Sequence, residues 1–197
     1  MDTAQSQVTL LVDPGCPWSW RAAQWILEAR AVRSIRVSWG LLSLEFLNRH
    51  QPSHPMMERF KSNRMAMRLL WWASLRGGNR ALESVYLGVA RAFHEQGKPL
   101  ELEDTLRGAL VEAGLPPEWV EEAAGNEELD RDLWCEYQEL ASTGAFGVPT
   151  LLFGDSKVPY YGPVITSVPA AERAGDLWDH VAGLARHEYF YELKRPR

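Results

Sequence analysis

The sequence predicts an α/β protein: a small mixed sheet with flanking helices, interrupted by a long helical insertion. Three observations carry this. An apolar run is followed by an amphipathic run and then by strict alternation, the pattern of a βαβ unit. A long stretch of helical periodicity comes next. Strand signals then return and are followed by one more amphipathic segment.

Val8-Thr9-Leu10-Leu11-Val12 reads as a short buried strand. Pro17 then marks a helix start, because proline suits the first helical position. Ala22, Ala23, Trp25, Ile26, Leu27 and Ala29 continue that helix. Ile35, Val37, Trp39 and Leu41 alternate with polar or small residues, the period-two mark of a second strand. A right-handed crossover makes the two strands parallel.

Residues 44–142 are helical by pattern. A short segment ends near Pro52. A helix over about residues 56–75 carries Phe60, Met67, Leu70 and Trp71 and stops at Gly77-Gly78. The next, residues 80–96, puts Leu82, Val85, Tyr86, Val89 and Phe93 on one face and stops at Gly97. A shorter helix around Leu106 and Leu110 ends at Gly114, and Pro116-Pro117 opens a brief one. The last, residues 127–141, turns Leu129, Leu133, Tyr137 and Leu140 inward. Thr150 to Phe153, the turn Gly154-Asp155-Ser156 and Val158 to Tyr161 then read as a β-hairpin. Pro159 makes its second strand an edge strand, which offers a contact for a homodimer. Pro169 opens a final amphipathic helix through Leu177, Trp178, Val181 and Leu184, before an aromatic and then basic tail. Residues 1–43 and 143–197 would thus form one domain, with residues 44–142 inserted into it.

Composition narrows the function. The 197 residues are 46% hydrophobic and 24% charged, with a net charge of −5, an ordinary globular balance. No basic cluster suggests nucleic acid, and no apolar stretch approaches the roughly 20 residues of a membrane span. The polar start, Met1 to Gln7, lacks a signal-peptide core, so a cytoplasmic location is expected. The two cysteines, Cys16 and Cys135, exclude a disulfide scaffold. The nine tryptophans are expected mostly in the core, with some free to line an apolar groove.

The chemistry concentrates in Asp13-Pro14-Gly15-Cys16-Pro17-Trp18-Ser19-Trp20. Cys16 falls at the N-cap of the first helix. Free backbone N–H groups and the positive helix end there favour a thiolate, the nucleophilic form of sulfur. Ser19, one turn on, can offer its hydroxyl to that thiolate, but it stands where a two-cysteine motif places its second sulfur. Cys135, between Trp134 and Tyr137, reads as helix packing. Gly147-Val148-Pro149-Thr150 places a proline just before a strand, a plausible cis site. His50 and His54 are separated by Pro52 and do not align as metal ligands. His94, His180 and His187 are isolated, and no Ser/His/Asp set or phosphate loop is present.

These motifs, with the helical insertion between them, resemble the DsbA-like branch of the thioredoxin superfamily over nearly the whole chain. Within it, Asp13 to Trp18, Gly162-Pro163-Val164 and the ending Phe190-Tyr191-Glu192-Leu193-Lys194-Arg195 resemble the group that includes mycothiol-dependent nitroreductases. The resemblance implies a thioredoxin-like fold and a thiol–disulfide oxidoreductase with Cys16 as nucleophile. It implies a cis Pro149 facing the sulfur, and a Val148 backbone that pairs with substrate. Ser19 departs from the pattern and points to a monothiol mechanism, in which the second sulfur comes from a low-molecular-weight thiol such as mycothiol, bacillithiol or glutathione. The partners are then that thiol and a disulfide or electrophilic substrate, with no tightly bound cofactor and no metal. Pro17, Trp18, Trp20, Val148 and Pro149 are expected to bound the groove. Kappa-class glutathione transferases and hydroxychromene-carboxylate isomerases are similar folds with a Ser-Pro-x-Ser type site, so a thiol-dependent transferase or isomerase stands as an alternative. A non-catalytic, chaperone-like binding module is a third, resting on the Trp- and Met-rich helical block.

Overall fold

The computed structural model describes residues 6–154 and 158–196. β1 (Ser6–Val12), α1 (Pro17–Val32) and β2 (Ile35–Leu41) form the expected unit, and β1 and β2 pair in parallel. β3 (Thr150–Phe153) lies antiparallel to β1, and β4 (Pro159–Tyr161) lies antiparallel to β3 at the sheet edge. The strand order is β2-β1-β3-β4. Asp155 and Ser156 of the expected hairpin turn lie outside the described residues.

β1 is central and both of its faces are covered. Val8, Leu10 and Val12 join the main apolar core. Leu11, pointing the other way by the two-residue period of a strand, joins a smaller cluster with Cys16, Leu42, Leu140, Ala145 and Val148. This double burial explains why β1 reads as a continuous apolar run rather than an alternating one. It also places Cys16 on a packed floor.

Six helices stand between β2 and β3: α2 (Leu44–Asn48), α3 (Met57–Ser62), α4 (Arg64–His94), α5 (Glu103–Glu112), α6 (Trp119–Ala124) and α7 (Glu128–Ser142). They share one continuous core with the sheet, in which Leu70, Val85, Tyr86, Leu106 and Leu129 meet Leu10 and Trp39. Two boundaries differ from expectation. The helix expected over residues 56–75 breaks at Asn63, whose side chain is engaged elsewhere (below). Gly77-Gly78 does not end a helix with a loop; the chain bends at Gly78 (φ 66°, ψ −164°) and resumes helix at once.

α8 (Glu172–Leu184) begins three residues after Pro169. It packs on α1, with the Trp178 ring 6.2 Å from that of Trp25, and Trp25 Nε1 donating to the Ala174 carbonyl at 3.1 Å. Arg33 at the end of α1 pairs with Glu172, Asp176 and Asp179. Arg68 of α4 grips both carboxylate oxygens of Asp130 of α7, at 2.7 and 2.6 Å, and fixes the helix that leads back to the sheet. Five tryptophans (20, 25, 39, 119 and 178) are buried. Among the described residues, no helix is long and apolar enough to cross a membrane.

Candidate functional site

Cys16 is the N-cap of α1 and Pro17 its first residue, as the sequence indicated. The turn before it is built on Asp13, a fully buried carboxylate. Its Oδ1 accepts from the Gly15 amide (2.9 Å) and from Asn63 Nδ2 (3.0 Å), and its Oδ2 accepts from the Leu44 amide (2.9 Å). The Cys16 amide closes the turn on the Asp13 carbonyl at 3.1 Å. One side chain thus ties together the cysteine loop, the start of α2 and the α3–α4 junction. This is the physical reason the predicted long helix breaks at Asn63. Gly15 is required by the same packing, since a Cβ there would stand 2.0 Å from Asn63 Nδ2. Burial pushes the Asp13 carboxyl up to about 6, against the three hydrogen bonds that favour its charge.

His94 closes the loop from another side. One ring nitrogen, Nε2, lies 2.9 Å from the Pro14 carbonyl oxygen, and the ring stacks on Trp20. Burial holds this imidazole below its ordinary value, and nearby Arg59 and Arg21 push the same way. Asp13, Asn63 and His94 were not singled out by the sequence reading. Asp13 lay inside the motif without a role. Asn63 and His94 lie 50 and 80 residues from their partners, and no local pattern announces such contacts.

The Cys16 sulfur is almost fully buried and donates its proton to the Val148 carbonyl, with Sγ 3.6 Å from the oxygen. The Val148–Pro149 peptide is cis. Two influences compete at this sulfur. Burial pushes the thiol up, and the negative Asp13 adds to this. The Ser19 side chain and the Ser19 and Trp18 amides act in the opposite direction without prevailing. A carbonyl acceptor for the S–H also favours the protonated form. Ser19 Oγ is fully buried and lies near the sulfur, but makes no hydrogen bond in this resting arrangement.

Cys16 opens into a groove of about 510 Å³, within the size range of small-molecule sites. Gly15, Pro17 and Trp18 form one wall, and Gly147, Val148 and Tyr161 the wall opposite. Leu44, Leu47, Met56 and Phe60 from the helical insertion, with Phe146, complete the apolar lining, and Arg59 is its one charged side chain. Pro17, Trp18 and Val148 therefore line the groove, whereas Pro149 does not. Nor does Trp20: it faces the core against His94, because two residues of helix turn it away from Trp18. Cys135 is also corrected. It is exposed on α7, since Leu129, Leu133 and Leu140 take the inward face, and both cysteines are free thiols. A concavity of about 650 Å³ along residues 167–173 is formed by a single stretch of chain and holds none of these groups. Among the described residues, no three His, Cys, Asp or Glu side chains gather as metal ligands.

A cysteine capping the first helix of a βαβ–ββα sheet, facing a Val-Pro loop and roofed by inserted helices, defines the DsbA-like class of thioredoxin folds. Solved structures agree on the fold. The chain superposes on a 2-hydroxychromene-2-carboxylate isomerase with a TM-score of 0.66 at 15% identity, covering 91% of this chain and 96% of that one. It superposes on the cytosolic disulfide reductase DsbM of Pseudomonas aeruginosa with a TM-score of 0.58 at 16% identity, covering 90% and 99%. The uncharacterized protein Rv2286c of Mycobacterium tuberculosis is 29% identical over 187 residues, 94% of this chain and 80% of that protein. Residues 15–195 match the Rv2466c-like family, described as mycothiol-dependent nitroreductase Rv2466c, and the chain belongs to that family. Its function is thiol-dependent redox chemistry.

Proposed function

We propose that the protein is a monothiol oxidoreductase that works through Cys16 with a low-molecular-weight thiol, mycothiol first among the candidates. The observation that carries this reading is the placement of Cys16 Sγ at the base of an apolar groove, beside the Val148 carbonyl, with Ser19 rather than a second sulfur one helical turn away. The Cys16 thiolate attacks one sulfur of a disulfide R–S–S–R′. The S–S bond breaks, a Cys16–S–S–R mixed disulfide forms, and R′S⁻ leaves and takes up a proton. A small thiol, R″SH, then loses its proton and attacks the R sulfur. It leaves as R–S–S–R″ and returns Cys16 as a thiolate. The net change is an exchange: R″SH and R–S–S–R′ become R–S–S–R″ and R′SH, Cys16 is regenerated unchanged, and no internal partner is required. The exposed Cys135 on α7 lies outside the groove.

Each side of the site has a task in this scheme. The N-terminal amides of α1 and the Ser19 hydroxyl favour the negative sulfur once it forms. Asp13, Asn63 and His94 hold the loop that presents it. Trp18 and Tyr161 wall the path of the incoming group. The test is mass spectrometry of the protein after exposure to oxidised mycothiol. A single adduct on Cys16, reversed by added mycothiol, supports the reading; labelling of Cys135 alone refutes it.

A second reading is favoured by the resting protonation of Cys16 and by the buried Ser19 hydroxyl. In it the site activates a bound cofactor thiol, as a thiol-dependent transferase or isomerase would. Turnover retained by Cys16→Ser selects this reading over the first.

A further inference from the structure

Nearly every side chain lining the Cys16 groove is apolar or aromatic, and no acidic residue lines it. Arg59 is the exception, exposed at the rim. Its neighbour Glu58 is taken by Lys61 at 2.8 Å, and Arg59 has no acidic partner among the described residues. Arg30, Arg33, Arg64, Arg68, Arg91 and Arg107 are paired with carboxylates, while Arg49 and Arg76 lie over aromatic rings away from the groove lining. The Arg59 guanidinium lies over the Phe93 ring, 5.6 Å from its centroid. That contact positions the charge without neutralising it. Arg21 lies over Trp18 at 5.0 Å and adds a second cation beside the same wall.

A chain with a net charge of −5 does not attract anions by its overall field. A cation left unpaired at the mouth of an apolar groove is therefore a local device. Burial is the main reason the nearby His94 imidazole is depressed, and Arg59 and Arg21 add to it in the same direction.

We propose that Arg59 determines the specificity of this groove. The substrate presented to Cys16 has a flat apolar or aromatic body and an anionic group, a carboxylate or its equivalent, at the end away from the reacting atom. The inference rests on the Cys16 reading for what happens to the substrate, but not for how it binds.

The test separates the two. In a Cys135→Ser background, stopped-flow rates are measured for Cys16 with a dianionic aryl disulfide, 5,5′-dithiobis(2-nitrobenzoate), and a neutral one, 4,4′-dithiodipyridine. Arg59→Gln is expected to slow the dianionic probe about 2- to 5-fold at low salt, a range set by exposed charge pairs, and to leave the neutral probe within about 1.3-fold. Arg59→Lys is expected to retain most of the dianion rate. Added salt is expected to erase the difference between wild type and Arg59→Gln. Equal effects on both probes, or no effect on either, overturn the inference. Calorimetric binding of 2-naphthoate and neutral 2-naphthamide to Cys16→Ser gives the same comparison without thiol chemistry. A preference for the carboxylate that Arg59→Gln removes supports the inference even if Cys16 proves unreactive. Indifference to charge there overturns it.

Discussion

The Cys16 sulfur and the Val148 carbonyl oxygen, 132 residues apart in the chain, are 3.6 Å apart in the fold, with the thiol as donor. This contact joins the two motifs of the sequence into one site. As an acceptor of the S–H, the carbonyl favours the protonated thiol, in the same direction as burial.

The pH dependence of Cys16 follows from that state. Burial raises the thiol above the ordinary cysteine range of about 8.5. Its reaction with iodoacetamide, in the Cys135→Ser protein, should keep rising with pH through 8.5. Ser19→Ala removes a group that favours the thiolate and should move the curve further toward alkaline pH. Rates that level off below pH 7 would show that the helix terminus, not burial, controls the sulfur.

Asp13 makes a prediction about stability. Its carboxyl titrates at about 6 when folded, against 3.8 as the ordinary value. The folded state therefore binds this proton more tightly than the unfolded state. The stability associated with it is fully present below about pH 4 and is lost as pH rises through 6, an effect of about 3 kcal/mol. The advantage of wild type over Asp13→Asn, measured by urea unfolding, should shrink by that order between pH 4 and pH 7. Parallel pH profiles for the two proteins would contradict it.

Gly15 and Asn63 should behave as a coupled pair. Gly15→Ala puts a methyl 2.0 Å from the Asn63 amide nitrogen in a buried turn, and overpacking of this kind costs about 1–3 kcal/mol. Asn63→Ala removes the obstacle but also a hydrogen bond to Asp13. The double variant should thus be more stable than the sum of the two single losses predicts. Strict additivity in denaturation midpoints would mean that the loop relaxes away from the contact.

Cys135 should be dispensable. It is exposed and free on α7, so Cys135→Ser should change thermal stability by less than about 0.5 kcal/mol and leave thiol exchange at Cys16 intact. A tenfold loss of exchange rate would assign it the resolving role that Ser19 cannot fill.

Much of this architecture was readable along the chain. The strands and the order of elements followed from period-two and period-3.6 patterns, which are local and robust where one face is buried. The Pro17 helix start and the Cys16 cap followed from backbone requirements at a single turn. Errors fell where distant residues override local preference. Residues 56–75 have helical periodicity throughout, yet Asn63 breaks the run because its side chain is drawn to Asp13. Trp20 stands two residues from Trp18, and linear proximity suggested a shared groove; the helical turn sends it to the core. Cys135 has apolar neighbours in sequence, but the inward face of α7 belongs to Leu129, Leu133 and Leu140.

The sequence by itself determined the βαβ–helices–ββα order, the cysteine at a helix start and the missing second sulfur, because each is set by residues within a few positions of one another. The tertiary structure alone decided what surrounds that cysteine: the Asp13 staple, the His94 brace, the Val148 carbonyl and the Arg59 rim. Those groups come from segments dozens of residues apart. Only chain packing, which removes water and sets their distances, turns them into one environment with its own acidity and charge.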